Sequence, residues 1–155
     1  MGSTSLLPPR LNAYFQDYAS YHRTRGNKFT HYFGVPMIAT SVLGILGGLV
    51  IGPEGFTSSF YFRLDAGVLL LTLGFLWYLF LDWKIALPFI LVLGGFYFLG
   101  RALPTWFNIT LFVVGWILQG VGHAVYEKNS PAFFKNLTHL LIGPLWIFAH
   151  FLGYK

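Results

Sequence analysis

Five apolar runs, at about residues 32–51, 64–81, 85–99, 106–121 and 137–154, follow one another with only short polar breaks between them. Several are long enough to cross a bilayer, which takes about 20 helical residues, and no break is long enough to form a soluble domain. Inside hydrocarbon the backbone has no water to bond to, so such runs fold as helices that satisfy their own N–H and C=O groups. The expected fold is therefore all-α, a polytopic membrane helix bundle of four to five transmembrane helices with an interfacial helix at its N-terminus. Composition agrees: 10% of residues are charged, where a soluble domain carries about 25%. We expect one integral-membrane domain over residues 1–155, with 1–31 as an interfacial segment and 32–155 as the bundle.

Residues 10–25 place Leu11, Tyr14, Phe15, Tyr18 and Tyr21 at helical spacing among polar groups, the pattern of an amphipathic helix lying on the membrane surface. Gly26 and Asn27 are expected to end it, and the Gly-Pro-Glu-Gly at 52–55 to end the first span. The tight Asp-Trp-Lys at 82–84 makes the second and third spans an antiparallel hairpin. Gly143, Pro144 and His150 interrupt the last run, which either crosses the membrane or dips in and returns. Residues 1–16 lack the basic start and continuous apolar stretch of a cleavable signal. Gly44 and Gly48 form a small-residue pair suited to helix packing.

A net charge of +5 would suit nucleic acid in a soluble protein. Here the basic residues sit at the ends of apolar runs, where they anchor to lipid headgroups, so membrane lipids and no nucleic acid are the expected partners. Arg10, Arg23, Arg25, Lys28, Lys84, Lys128 and Lys135 fall on one side of the expected topology, and Arg63, Arg101 and Lys155 on the other. The larger set should face the cytoplasm. This describes a multi-pass protein of the endoplasmic reticulum membrane in a eukaryote, or of the cytoplasmic membrane in a bacterium. The absence of cysteine rules out disulfides and thiolate metal ligands, so any metal must be held by His, Asp, Glu or amide groups.

The same topology gathers four of the five histidines at the cytoplasmic face: His22 and His31 before the first span, His123 at the end of the fourth, and His139 at the start of the last. His22 and His31 would point to opposite faces of one continuous helix. A break at Gly26-Asn27 would fold them toward one centre. Four imidazoles without thiolates suit iron, zinc, nickel or copper and suit magnesium or calcium poorly. His150 reads as a packing residue. Glu127 shares a helical face with His123 and is a ligand, an orienter of His123 or a solvated charge. Arg23, Arg25 and Lys28 are positioned for a substrate carboxylate or for lipid phosphate. Asp65 and Asp82 read as caps at span ends, outside the cluster.

Two stretches, YHRTRGNKFTHYFGVP and GWILQGVGHAVYEKNSPAFFKNL, together resemble the 2-hydroxy fatty acid dioxygenase family of phytosphingosine degradation. The pattern lies in His22, Asn27, His31 and Pro36, and in Gln119, Gly122, His123, Glu127, Pro131 and Ala132. The resemblance implies iron(II)-dependent, dioxygen-consuming cleavage of a 2-hydroxy long-chain fatty acid to carbon dioxide and the acid one carbon shorter. It also implies His22, His31 and His123 as Fe2+ ligands. The position of His139 is not uniformly His in that family, so a fourth ligand there rests on the topology alone. Glu127 is the expected catalytic carboxylate, and Asn27 and Gln119 join Arg23, Arg25 and Lys28 as expected substrate contacts.

Two other classes remain open at this point. A bis-histidine haem protein could use His22 and His123, and a non-enzymatic lipid-binding or scaffold protein could use its histidines only against headgroups. A di-iron desaturase fits less well, because no adjacent histidine pair is present.

Overall fold

The computed structural model describes residues 7–51 and 64–154, and every regular element among them is helical. α1 (Pro9–Ser20) starts on a proline in its first turn and buries Leu11, Phe15 and Tyr18 on one stripe, as the amphipathic spacing predicts. It ends at Ser20, and the break falls at residues 21–24, earlier than Gly26-Asn27. Thr24 then caps α2 (Arg25–Gly47), its Oγ1 accepting the Asn27 N–H at 3.3 Å. Gly26 and Asn27 are therefore the first turn of α2. Glycine is needed at 26 because the Tyr126 ring occupies the space where a Cβ would stand.

α2 is the hub, packing against α3 (Ala66–Leu81), α4 (Trp83–Ala102) and α5 (Thr105–Val121). It ends at Gly47, before the Gly-Pro-Glu-Gly stretch, which lies outside the described residues along with Arg63 and Lys155. Close approach comes from two cross-helix glycine pairs, Gly34 with Gly115 and Gly44 with Gly100. Gly48 makes no such contact across helices. Asp65 and Asp82 cap α3 and α4, accepting the Val68 and Lys84 N–H groups at 2.9 Å each, and the Asp82 turn closes the α3–α4 hairpin. Asp65 does more than cap: fully buried, it accepts the Tyr97 hydroxyl at 2.7 Å, with the Arg101 Nε 4.0 Å away.

Among the described residues three helical segments, α2, α4 and Thr105–Glu127, are long and apolar enough to cross a membrane. α3 and α6 (Thr138–Phe151) are apolar but shorter, roughly 24 and 21 Å at about 1.5 Å per residue, against a hydrocarbon core of about 30 Å. α6 also stays at the histidine end of the bundle along its length. Near its start His139 reaches Asp17 of α1, while near its end His150 stacks on Tyr32, early in α2.

Candidate metal centre

His22, His31 and His123 come together from three separate places. His22 stands in the short connection between α1 and α2, His31 in the second turn of α2, and His123 in a wider, π-type turn, Gly122–Glu127, that continues α5. Each offers one ring nitrogen to a group whose ligand atoms lie within 4.8 Å of one another. The three ring planes cross near right angles, at 78°, 73° and 84°, with centroids 4.4 to 4.9 Å apart. All three residues are buried.

The backbone fixes how two of these rings present themselves. His22 Nδ1 lies 2.7 Å from the Tyr18 carbonyl and His31 Nδ1 lies 2.8 Å from the Asn27 carbonyl, in each case four residues earlier. A carbonyl only accepts, so each Nδ1 carries the proton and each Nε2 keeps its lone pair. His22 Nε2 and His123 Nδ1 are buried without a protein partner, a costly arrangement for groups that a metal ion would satisfy. Burial also pushes the His22 pKa down to about 4, so the imidazole is neutral and ligand-competent at neutral pH. The donor set and its orphaned nitrogens therefore fit a transition metal, and Gly122 makes the convergence possible: a Cβ there would meet Thr30, Asn27 and His31 on α2.

Glu127 is held at the junction of the π-turn and α2. Its carboxylate accepts four hydrogen bonds from the approach to α2 and its first turn: the N–H groups of Arg23 and Thr24 at 2.9 and 3.1 Å, the Thr24 hydroxyl at 3.0 Å, and the Asn27 amide at 3.0 Å. It clamps the π-turn to α2 and stands outside the three-histidine group. Asn27 gives its amide N–H groups to the same clamp and to the Tyr21 carbonyl at 3.1 Å, its Oδ1 is buried without a partner, and it is not among the residues that line the adjoining cavity.

The cluster opens into a cavity of about 350 Å³ between α2, α3, α5 and α6, lined mainly by aliphatic and aromatic side chains. Along α2 the wall passes from His31 through Val35 and Ala39 to Val42, roughly 16 Å at a helical rise of about 1.5 Å per residue. Gln119, one turn before His123, lines this cavity with its Nε2 buried and unpartnered. Arg23, Arg25 and Lys28 do not line it; Arg23 and Arg25 are exposed, and the first spends its Nε on the Ser20 carbonyl at 3.0 Å. His139 lines the cavity but is not part of the ligand group: its Nε2 pairs with Asp17 Oδ2 at 2.7 Å. His150 lies apart, stacked between Tyr32 and Trp146.

Three participants escaped the sequence reading: Tyr18, whose carbonyl and ring both support His22, Asp17, and the π-turn itself. The common i−4 spacing of Tyr18 to His22 and Asn27 to His31 is the signal that was available. Nothing in the sequence around 122–127 marks a wider helical turn.

Residues 9–154 match the family described as 2-hydroxy-palmitic acid dioxygenase Mpo1-like. The 2-hydroxy-palmitic acid dioxygenase MPO1 of Saccharomyces cerevisiae is 46% identical over 46 residues, covering 29% of this chain and 26% of the yeast protein. No solved structure matches significantly. With nearly its whole length matched, the chain belongs to the Mpo1-like family.

Proposed function

We propose that this protein is an iron(II)-dependent dioxygenase that cleaves 2-hydroxy long-chain fatty acids to carbon dioxide and the acid one carbon shorter. The observation that carries this reading is the placement of three inward-facing imidazoles at one end of an apolar cavity, which suits a polar head at the metal and a tail along α2. The name of the yeast relative states the corresponding substrate class. For 2-hydroxyhexadecanoic acid, one dioxygen gives pentadecanoic acid, carbon dioxide and water, a balance that needs no external reductant.

His22, His31 and His123 would hold the metal, with the Tyr18 and Asn27 carbonyls fixing the tautomers that free Nε2 of the first two. Iron bound there supplies the redox chemistry by which dioxygen reacts with a closed-shell acid, and three protein ligands leave room for the substrate head group. The chain's own part is to bind and orient. Gln119 offers its free amide to the head group, the α2 and α5 walls exclude water from the tail, and Glu127 keeps both histidine-bearing segments in register.

In the membrane, α2 to α5 make four crossings, with α1 and α6 covering the histidine end. That end faces the cytoplasm, where Arg23, Arg25 and Lys28 meet lipid phosphates. A bis-histidine haem is disfavoured because the His22 and His123 rings touch edge to face at 4.9 Å, which leaves no space for a porphyrin between them. The discriminating experiment compares hexadecanoic with 2-hydroxyhexadecanoic acid at equal concentration. The hydroxy acid alone should be consumed, whereas equal turnover of both would remove the hydroxyl from recognition.

A further inference from the structure

The basic residues at the start of α2 are not at the cavity, so a carboxylate entering it needs another partner. Among the described residues that line the cavity there is no Lys, Arg, Asp or Glu. Apart from the three clustered histidines, its polar side chains include Tyr18, Gln119, Tyr78 and His139, and Tyr78 spends its hydroxyl on the Leu141 carbonyl at 2.7 Å. His139 is unusual in this set. Its side chain is only 4% exposed, its Nδ1 is buried without a partner, and its Nε2 is held by Asp17, whose side chain is 51% exposed to the surroundings.

We propose that His139, held by Asp17, is the carboxylate anchor of the cavity and not a fourth metal ligand. The inference rests on the fatty-acid reading of the site and adds the group that recognises the acid. Asp17 holds Nε2, which leaves the unpartnered Nδ1 to donate to an incoming carboxylate, so the ring bridges two carboxylates. The Tyr18 and Tyr21 rings, each 5.7 Å away, pack against the imidazole and hold its plane. Tyr18 also stacks on His22 at 4.0 Å, so one α1 side chain spaces the anchor from the metal-binding imidazoles. His139 and the three histidines line the same cavity, so a carboxylate held at His139 keeps the head group at their end and leaves the tail to descend along α2.

The test measures binding without turnover. Iron-loaded protein in detergent is titrated under argon with 2-hydroxyhexadecanoic acid and with its methyl ester, following tryptophan fluorescence, since Trp116 lines the cavity. His139→Ala should cut the preference for acid over ester by about tenfold or more, as loss of a charge-assisted hydrogen bond does. Asp17→Asn should cut it in the same direction by less, with iron content unchanged in both. Loss of iron from His139→Gln would make this residue a ligand and overturn the proposal, and so would an unchanged acid-to-ester ratio in both Ala and Asn variants. The Asp17 variant leaves the buried ring in place and so keeps the test valid should the His139 variants fail to fold. Product formation by the wild-type protein in air reports separately on the dioxygenase reading, which can fail while the anchor stands.

Discussion

The Asn27 side-chain amide donates to the Glu127 carboxylate at 3.0 Å, and each residue lies four positions from a clustered histidine, His31 on α2 and His123 on the π-turn. One hydrogen bond thus ties together the two helical segments that carry two of the three converging imidazoles. Glu127→Gln keeps an acceptor but gives up the charge that four donors share. We expect the variant to fold and to bind iron about 10- to 100-fold more weakly, as loss of a partner that orients ligands typically does. Metal titration in detergent measures this, and unchanged affinity would reduce the clamp to a structural tie.

Alanine at His22, His31 or His123 should each remove stoichiometric iron and activity, while His150→Ala should retain most of both, because His150 stacks on Tyr32 and Trp146 outside the three-histidine group. Elemental analysis and product assay on the four variants check the assignment. Normal iron in any one of the first three would break it.

Gly122→Ala places a methyl group against the Asn27 and Thr30 side chains and beside the His31 ring. Neither α2 nor the π-turn can yield without moving a clustered histidine, so stability should fall by about 1–3 kcal/mol, the usual cost of overpacking, and iron binding should fall with it. A thermal melt in detergent with parallel metal analysis measures both. Wild-type melting and metal content would show that the turn has slack.

Metal-free protein should lose stability as pH falls from 6.5 toward 4. The His22 pKa is lowered from 6.5 to about 4 by burial, so in that window the unfolded chain binds a proton that the folded one excludes. Stability from this group is full above pH 6.5 and is lost progressively on acidification, up to about 3 kcal/mol in all. Melting temperature against pH, compared with His22→Gln, isolates the contribution, and identical slopes in the two proteins would deny it.

Ala39 lines the cavity about 12 Å below His31 at a rise of about 1.5 Å per residue. Ala39→Phe should block the lower part of the wall and shift the preferred substrate toward shorter 2-hydroxy acids, with iron content unchanged. Competition between acids of graded length reads the shift. An unaltered preference would move the tail to another path.

Much of this architecture was legible because its causes are local. Apolar length specifies helices in hydrocarbon, and the Asp65 and Asp82 caps and the α3–α4 turn follow from residue type and position. The convergence of His22, His31 and His123 also followed from counting which span ends share a side. The positions where reading and structure part depend on contacts between distant segments. Gly26 resembles a helix breaker, yet it serves the Tyr126 ring from 100 residues away. Asp17 resembles an ordinary surface charge until α6 brings His139 to it. Arg23 and Arg25 have the correct charge for a carboxylate, but the α1–α2 connection and the first turn of α2 leave them exposed and away from the cavity.

The most direct test of the central claim is mass spectrometry of the products formed when iron-loaded protein is mixed with 2-hydroxyhexadecanoic acid, in air and under argon. The expected result is pentadecanoic acid and carbon dioxide in equal amounts, formed only with oxygen and absent from the His22→Ala, His31→Ala and His123→Ala variants. Unchanged substrate in air, with iron stoichiometrically bound to the wild-type protein, would contradict it.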